Sequence, residues 1–433
     1  MQRRVIDVGE RLPLLQTVPL SLQHLFAMFG ATVLVPFLFK VNPATSLLLN
    51  GLGTLVYLAV CRGKVPAYLG SSFAFISPVF AVLAHPELGG YAAAQGGFIA
   101  FGLLFILVSQ VVRVAGTRWL DVVFPPAAMG AIVAVIGLEL APVATSMAGL
   151  TGDGAAQPGR GTAVAVAMVT LAVTVLGSVL FRGFLGVIPV LIGVVAGYGA
   201  ALAAGLVDLA PVAAAPWFEV PTLYAPAFSP QAILMVLPAG LVVLAEHVGH
   251  LVVTGNVVGR DFVKDPGLDR SLLGDGLSNV LSGLAGATPN TTYGENIGVL
   301  AITRVFSTWV IGGAAVLAVV ISFVGKLAAA IRSIPTPVMG GVCILLFGVI
   351  AAAGIRMLVE KKVDYTRPRS LVLTSVVLVS GASGAAVKLG TVELKGMALG
   401  TFVAVALSLL LALFDRLGWS NDGAAEAQPE ARA

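Results

Sequence analysis

Ala287-Thr288-Pro289-Asn290-Thr291-Thr292-Tyr293-Gly294-Glu295-Asn296-Ile297-Gly298 is a polar, breaker-rich run that passes into an apolar segment ending at Thr303-Arg304. The residues after Pro289 favour extended backbone, and Gly294-Glu295 suits the opening turn of a short helix. A second stretch, Tyr68-Leu69-Gly70-Ser71-Ser72-Phe73-Ala74-Phe75-Ile76-Ser77-Pro78, reads the same way. Its small polar residues favour an extended start, and Pro78 suits the first turn of a half-helix beginning near Ser77.

The rest of the chain says what solvent these runs sit in. Of 433 residues, 58% are hydrophobic and 11% charged, so the apolar surface far exceeds what one soluble core hides. Apolar stretches of roughly 20 residues, each able to cross ~30 Å of hydrocarbon, recur from Leu14 to Phe414. They predict an all-α membrane protein of about 14 transmembrane segments, centred near residues 28, 53, 75, 103, 133, 171, 195, 242, 279, 297, 319, 345, 379 and 404. The third and tenth contain the two interrupted runs. The start of the chain, with Arg3, Arg4 and Arg11 beside Asp7 and Glu10, shows no small-residue cleavage site and reads as part of the mature protein.

With the N-terminus in the cytoplasm, 19 of the 25 lysines and arginines fall on that side. Only Lys40, Arg160, Lys326, Arg332, Lys388 and Lys395 fall on the other, as the positive-inside rule requires. Both termini are expected to be cytoplasmic. The same asymmetry accounts for the net charge of +4 without nucleic-acid binding. Cys61 and Cys343 lie at or inside apolar segments, so neither a disulfide framework nor a metal site is expected, and no cofactor motif is present.

The two halves resemble each other. Gln23-His24 matches Glu246-His247, Asn50-Gly51-Leu52 matches Asp275-Gly276-Leu277, and Pro125 to Gly130 echoes Pro335 to Gly340. Because each half has an odd number of spans, the second must be inverted relative to the first. The expected organisation is an N-terminal segment 1–13, a first seven-span repeat 14–208, an extracytoplasmic connector 209–229, a second repeat 230–416 and a disordered cytoplasmic tail 417–433.

Unwound backbone at membrane depth persists only when buried in protein or lining a cavity, so spans 3 and 10 predict a site whose donors are the amides around Phe73 and Gly294. Ordinary Gly/Pro kinks satisfied by neighbouring helices are the competing reading. Span 8 adds Glu246 and His250, four residues apart on one helix face, while His247 points roughly 100° away and is expected to bond a neighbouring helix. An ionised group at the bilayer centre costs about 2.5–3.5 kcal/mol, so Glu246 must be paired, protonated or facing a wet cavity. Glu295, opening the half-helix of span 10, is either a site residue or a cap. Two carboxylates in one low-dielectric cavity disfavour joint ionisation, so such a site can carry a proton. No grouping of His, Cys and Asp suits an integral-membrane enzyme.

Glu295-Asn296-Ile297-Gly298 through Thr303-Arg304 resembles the signature of the nucleobase–ascorbate transporter family, an acidic or amide residue followed by Asn-x-Gly-x4-Thr-Arg. The resemblance extends through Ser21-Leu22-Gln23-His24-Leu25-Phe26, Gly70-Ser71-Ser72-Phe73 and Ala245-Glu246-His247-Val248-Gly249-His250, and is strongest to bacterial uracil-transporting members. It implies a core domain from spans 1–4 and 8–11 and a gate domain from the remainder. It also implies proton symport of uracil across the bacterial inner membrane, and a homodimer joined through the gate domains. Another nucleobase, xanthine or a different pyrimidine, is the alternative substrate. By the same resemblance Glu246 and Glu295 would accept from uracil N–H groups and amides near Phe73 and Gly294 would donate to its carbonyls. Tyr293 would shape the pocket and His250 would help couple the proton. Phe347, in span 12, stands where such permeases often have Tyr, which removes a hydroxyl from the gate side.

Overall fold

In the computed structural model, residues 4–152, 159–183, 185–389 and 392–419 are described. Of the expected tail 417–433, residues 420–433 lie outside them. Seven helices among these residues are long and apolar enough to cross a membrane, and the pair Leu14–Ala27 and Phe29–Phe39, bent by 43°, makes an eighth span. Four shorter apolar segments, Phe73–Leu83, Pro189–Ala203, Thr308–Ser322 and Pro368–Ala382, and the helices Leu268–Ala285 and Gly294–Thr303 complete fourteen. They fall where the hydropathy pattern placed them.

Spans 3 and 10 are broken as their sequences require. In span 3, strand β1 (Leu69–Ser71) leads through a tight turn, Phe73–Phe75, into the helix Ile76–Leu83. In span 10, strand β2 (Asn290–Thr292) leads directly into Gly294–Thr303. The strands pair antiparallel with Leu69 opposite Thr292, Gly70 opposite Thr291 and Ser71 opposite Asn290. Ser72 N extends the ladder by donating to Pro289 O at 2.8 Å. Each broken span thereby supplies the hydrogen-bond partners the other lacks in a solvent that offers none.

The helices form two compact units, 1–113 with 141–346, and 114–140 with 347–433. The larger contains spans 1–4 and 8–11, the elements expected to form the core domain, and also spans 6 and 7. Two of its close crossings follow the repeat. A Cβ on Gly51 in span 2 would stand 2.6 Å from Ala315 O and 3.2 Å from Val319 N of span 11. A Cβ on its counterpart Gly276 in span 9 would stand 2.7 Å from Gly102 O and 3.0 Å from Ile106 N of span 4. Small residues let these backbones touch, which replaces the hydrophobic drive that lipid does not provide.

The smaller unit holds most of span 5 (Pro126–Glu139), the latter part of span 12, span 13 (Pro368–Ala382) and span 14 (Gly396–Arg416). Gly130 of span 5 packs on Gly354 and Leu358 of span 12, and Gly381 of span 13 on Val135. A short hairpin pairs residues 386–389 with 392–395, and the Glu139 carboxylate accepts from Met397 N at 2.8 Å just beyond it.

The crossing at Gly276 is testable. Gly276→Ala forces two backbones apart and should lower the melting midpoint of the detergent-purified protein, with a cost of about 1–3 kcal/mol for overpacking. Gly199→Ala, whose new Cβ meets nothing within 4 Å, should melt at or slightly above the wild-type midpoint.

Candidate functional site

The paired strands bring two short helices to one place, with their first N–H groups lacking intrahelical acceptors by the geometry of any helix start. Neither Ser72 nor Tyr293, the residues preceding the two turns, caps them with a side chain. Phe73 is buried at the start of one, while Gly294 and Glu295 are exposed at the start of the other. The hydroxyl of Ser72, next to Phe73, is buried and has no partner among the described residues.

Span 8 (Pro230–Val258) runs alongside. Glu246 and His250 share its face, with Glu246 Oε1 4.0 Å from His250 Nε2 and both side chains partly exposed, at 25% and 19%. His250 Nδ1 lies 3.2 Å from Thr292 Oγ1, and a Cβ on Gly294 would stand 3.3 Å from His250 Nε2, so span 8 meets span 10 at its strand-to-helix junction. Glu295 follows Gly294 at that junction, so the helix start that carries it lies against the His250 end of the Glu246–His250 pair. The structure therefore assembles Phe73, Glu246, His250, Tyr293, Gly294 and Glu295 within the larger unit. Phe347 belongs to the smaller unit, where it is buried and its carbonyl lies against Gly137.

Tyr293 has a more specific part than shaping a pocket. Its hydroxyl donates to Ser71 O at 2.6 Å, and its ring occupies the space a side chain at position 70 would need. Only glycine fits at 70, and the ring fastens one broken span to the other.

Behind the strands lies a buried polar layer. Asn279 in span 9 donates from Nδ2 to Asn290 O at 2.8 Å and accepts from Asn290 N at 2.8 Å, so it caps the strand like a further backbone. Ser278 Oγ donates to Asn290 Oδ1 at 2.8 Å, and Asn50 Nδ2 donates to Ser71 Oγ at 3.3 Å. Asp275 accepts from Thr291 Oγ1 at 3.2 Å and Asn279 Nδ2 at 2.8 Å, and its Oδ2 lies 2.8 Å from His247 Nδ1. His247 Nε2 is 2.7 Å from Ser271 Oγ, which shares a 2.6 Å hydrogen bond with Tyr57 Oη. His247 thus bonds a neighbouring helix, as expected. Its repeat partner His24 does likewise, 2.7 Å from Asn296 Nδ2 of the family signature.

Asp275 and Asn279 were not among the residues the sequence reading assigned to the site. A signal was present, since a fully buried acid inside a span is costly unless paired, and Asp275 matches Asn50 across the repeat. Among the described residues no group of three or more His, Cys, Asp or Glu side chains is placed to hold a metal ion.

Removing the Tyr293 hydroxyl should leave Ser71 O short of a partner, so Tyr293→Phe is expected to lower stability by about 1–2 kcal/mol in a melting assay. Tyr68→Phe removes a buried hydroxyl without a partner among the described residues and should be neutral or slightly stabilising.

Comparison with known proteins agrees with this architecture. Residues 15–390 match the profile of a family described as "Permease family". The chain is 64% identical over 417 residues to the uracil permease of Escherichia coli (strain K12), covering 96% of each. It is 58% identical over 424 residues to the uracil permease of Paenibacillus larvae, covering 98% of this chain and all of the relative. Among solved structures, the transmembrane domain of a cyanobacterial bicarbonate transporter, BicA, superposes with a TM-score of 0.59 at 15% identity. That comparison covers 95% of this chain and 99% of the other, and shows a shared fold.

Proposed function

This chain belongs to the permease family, and from that premise we propose that it imports uracil by proton symport. It is a multi-pass membrane transporter, not an enzyme. What supports the reading is that the Glu246–His250 face of span 8 meets span 10 at the strand-to-helix junction where Glu295 opens a half-helix.

Uracil is neutral and planar and presents two N–H donors and two carbonyl acceptors. Glu246 and Glu295 accept from its N–H groups, and the amides near Phe73 and Gly294 donate to its carbonyls. The uracil permeases that resemble this chain over nearly its whole length support the choice of substrate. A membrane potential alone cannot concentrate a neutral solute. Co-binding one proton adds about 2.3 kcal/mol per 100 mV, together with the pH gradient. Two acids sharing one low-dielectric site hold that proton most readily when only one is ionised, and His250 beside Glu246 offers the relay.

The wider arrangement follows from the same reading. Spans 1–4 and 8–11 carry the site as a core domain, and spans 5–7 and 12–14 act as the gate past which it alternates, with Phe347 as an apolar gate-side surface. Two copies join through their gate domains, and both termini face the cytoplasm of the bacterial inner membrane.

In proteoliposomes, an inward proton gradient should drive uracil above equilibrium, and dissipating the gradient should abolish accumulation without abolishing exchange. Glu246→Gln and Glu295→Gln should each impair uptake severely, and near-normal uptake by either would refute the assignment. Competition by thymine and xanthine for uracil binding at two pH values separates the proposed substrate from other nucleobases.

His250→Ala should reduce transport more than uracil binding, since the imidazole serves the proton rather than the base. Equal losses in both measurements would count against that role.

A further inference from the structure

The larger unit carries a second recess, whose lining includes neither of the two acids. Its polar part is a cavity of about 300 Å³ at the end of span 1, lined by Lys40, Arg332, Asn42, Thr222 and Tyr224 together with apolar side chains. Lys40 follows Phe39 at the helix end, and Arg332 ends the helix Gly325–Arg332. Both cations are exposed, and neither pairs with a carboxylate among the described residues. A helix C-terminus favours a cation in each place but leaves its charge unneutralised toward the recess.

An apolar cavity of about 320 Å³ adjoins it and shares Val33, Pro43 and Ile331 as wall. Its lining is almost wholly hydrocarbon, from Leu25, Phe26 and Phe29 of span 1, Leu191 and Val194 of span 7, and Leu327 beside Arg332. Uracil suits neither part, because the first presents cations without a carboxylate and the second offers no hydrogen-bonding surface. The combination fits an amphiphile with an anionic head and an apolar tail.

We propose that this recess binds an anionic phospholipid, with its phosphate between Lys40 and Arg332 and one acyl chain in the adjoining apolar cavity. The placement is consistent with lipid depth. Lys40 and Arg332 stand at helix ends, where spans meet the headgroup layer, on the membrane face that carries few other cations. Asn42 is already committed, its backbone N–H donating to Tyr224 Oη at 3.2 Å and its side chain to Thr222 Oγ1 at 3.4 Å. Tyr224 Oη and Thr222 Oγ1 accept in these bonds and keep their own O–H donors, so the two cations supply the charge that meets the phosphate and the hydroxyls can add to it. The apolar wall joins span 1 to span 7, so a seated acyl chain would bridge them.

Native mass spectrometry of the full-length, delipidated protein with added phosphatidylglycerol tests the proposal. One phosphatidylglycerol should be retained more strongly than any phosphatidylcholine. Combining Lys40→Gln with Arg332→Gln should weaken that retention by roughly thirtyfold, the change expected for two lost basic contacts. Ala330→Phe, which fills the apolar cavity and leaves both cations in place, should weaken it as well. Lys388→Gln with Lys395→Gln, in the hairpin of the smaller unit, should leave it unchanged. Inorganic phosphate in large excess should fail to displace the lipid. Equal retention of the two lipids, equal loss in both paired variants, or displacement by phosphate alone would overturn the proposal.

Discussion

Everything in the larger unit depends on how two lengths of extended backbone are satisfied inside a membrane. An unpaired N–H or C=O in hydrocarbon costs several kcal/mol, and a lone strand of three residues leaves a row of them. Here β1 and β2 satisfy each other, and Asn279 and Thr54 complete the ladder at its outer edges, Thr54 Oγ1 accepting from Leu69 N at 2.9 Å. The half-helices that follow are then free to present their opening turns. The pairing links the two halves of the chain, so the site exists only when both repeats have folded together.

The remainder of the unit keeps that pairing in register. Gly51 and Gly276 bring spans 11 and 4 against spans 2 and 9 at backbone contact, and the polar side chains behind the strands come from spans 2, 3, 8, 9 and 10. Asp275 is the most demanding member, a buried acid with His247, Asn279 and Thr291 around it. Removing one partner from such a network leaves the others unsatisfied, which makes the layer rigid as well as stable. Glu246 and Glu295 differ in kind: Glu246 is half-buried and Glu295 exposed, whereas Asp275 is fully buried.

Much of this was legible in the residues. Fourteen apolar segments, two of them interrupted, follow from hydropathy and from Pro, Gly and Thr at matching places, because lipid makes those patterns nearly obligatory. Glu246 and His250 stood out because ionisable groups inside a span are rare. The partnering of Leu69 with Thr292 was not legible, since strands of three residues carry no periodicity long enough to choose a register. Asp275 was read only as a repeat marker, because its place in span 9 does not reveal that His247 and Thr291 converge on it. The packing of spans 6 and 7 within the larger unit also escaped, since uniformly apolar helices give no sequence cue to their neighbours.

The ring of Tyr293 against Gly70 has a mechanical implication. A bulky aromatic wedged where no side chain can stand, and hydrogen-bonded to the opposing backbone, rivets the two broken spans together. In the transport cycle proposed above, such a joint would carry both repeats' contributions as one piece, so that neither half of the proposed binding surface would be released before the other.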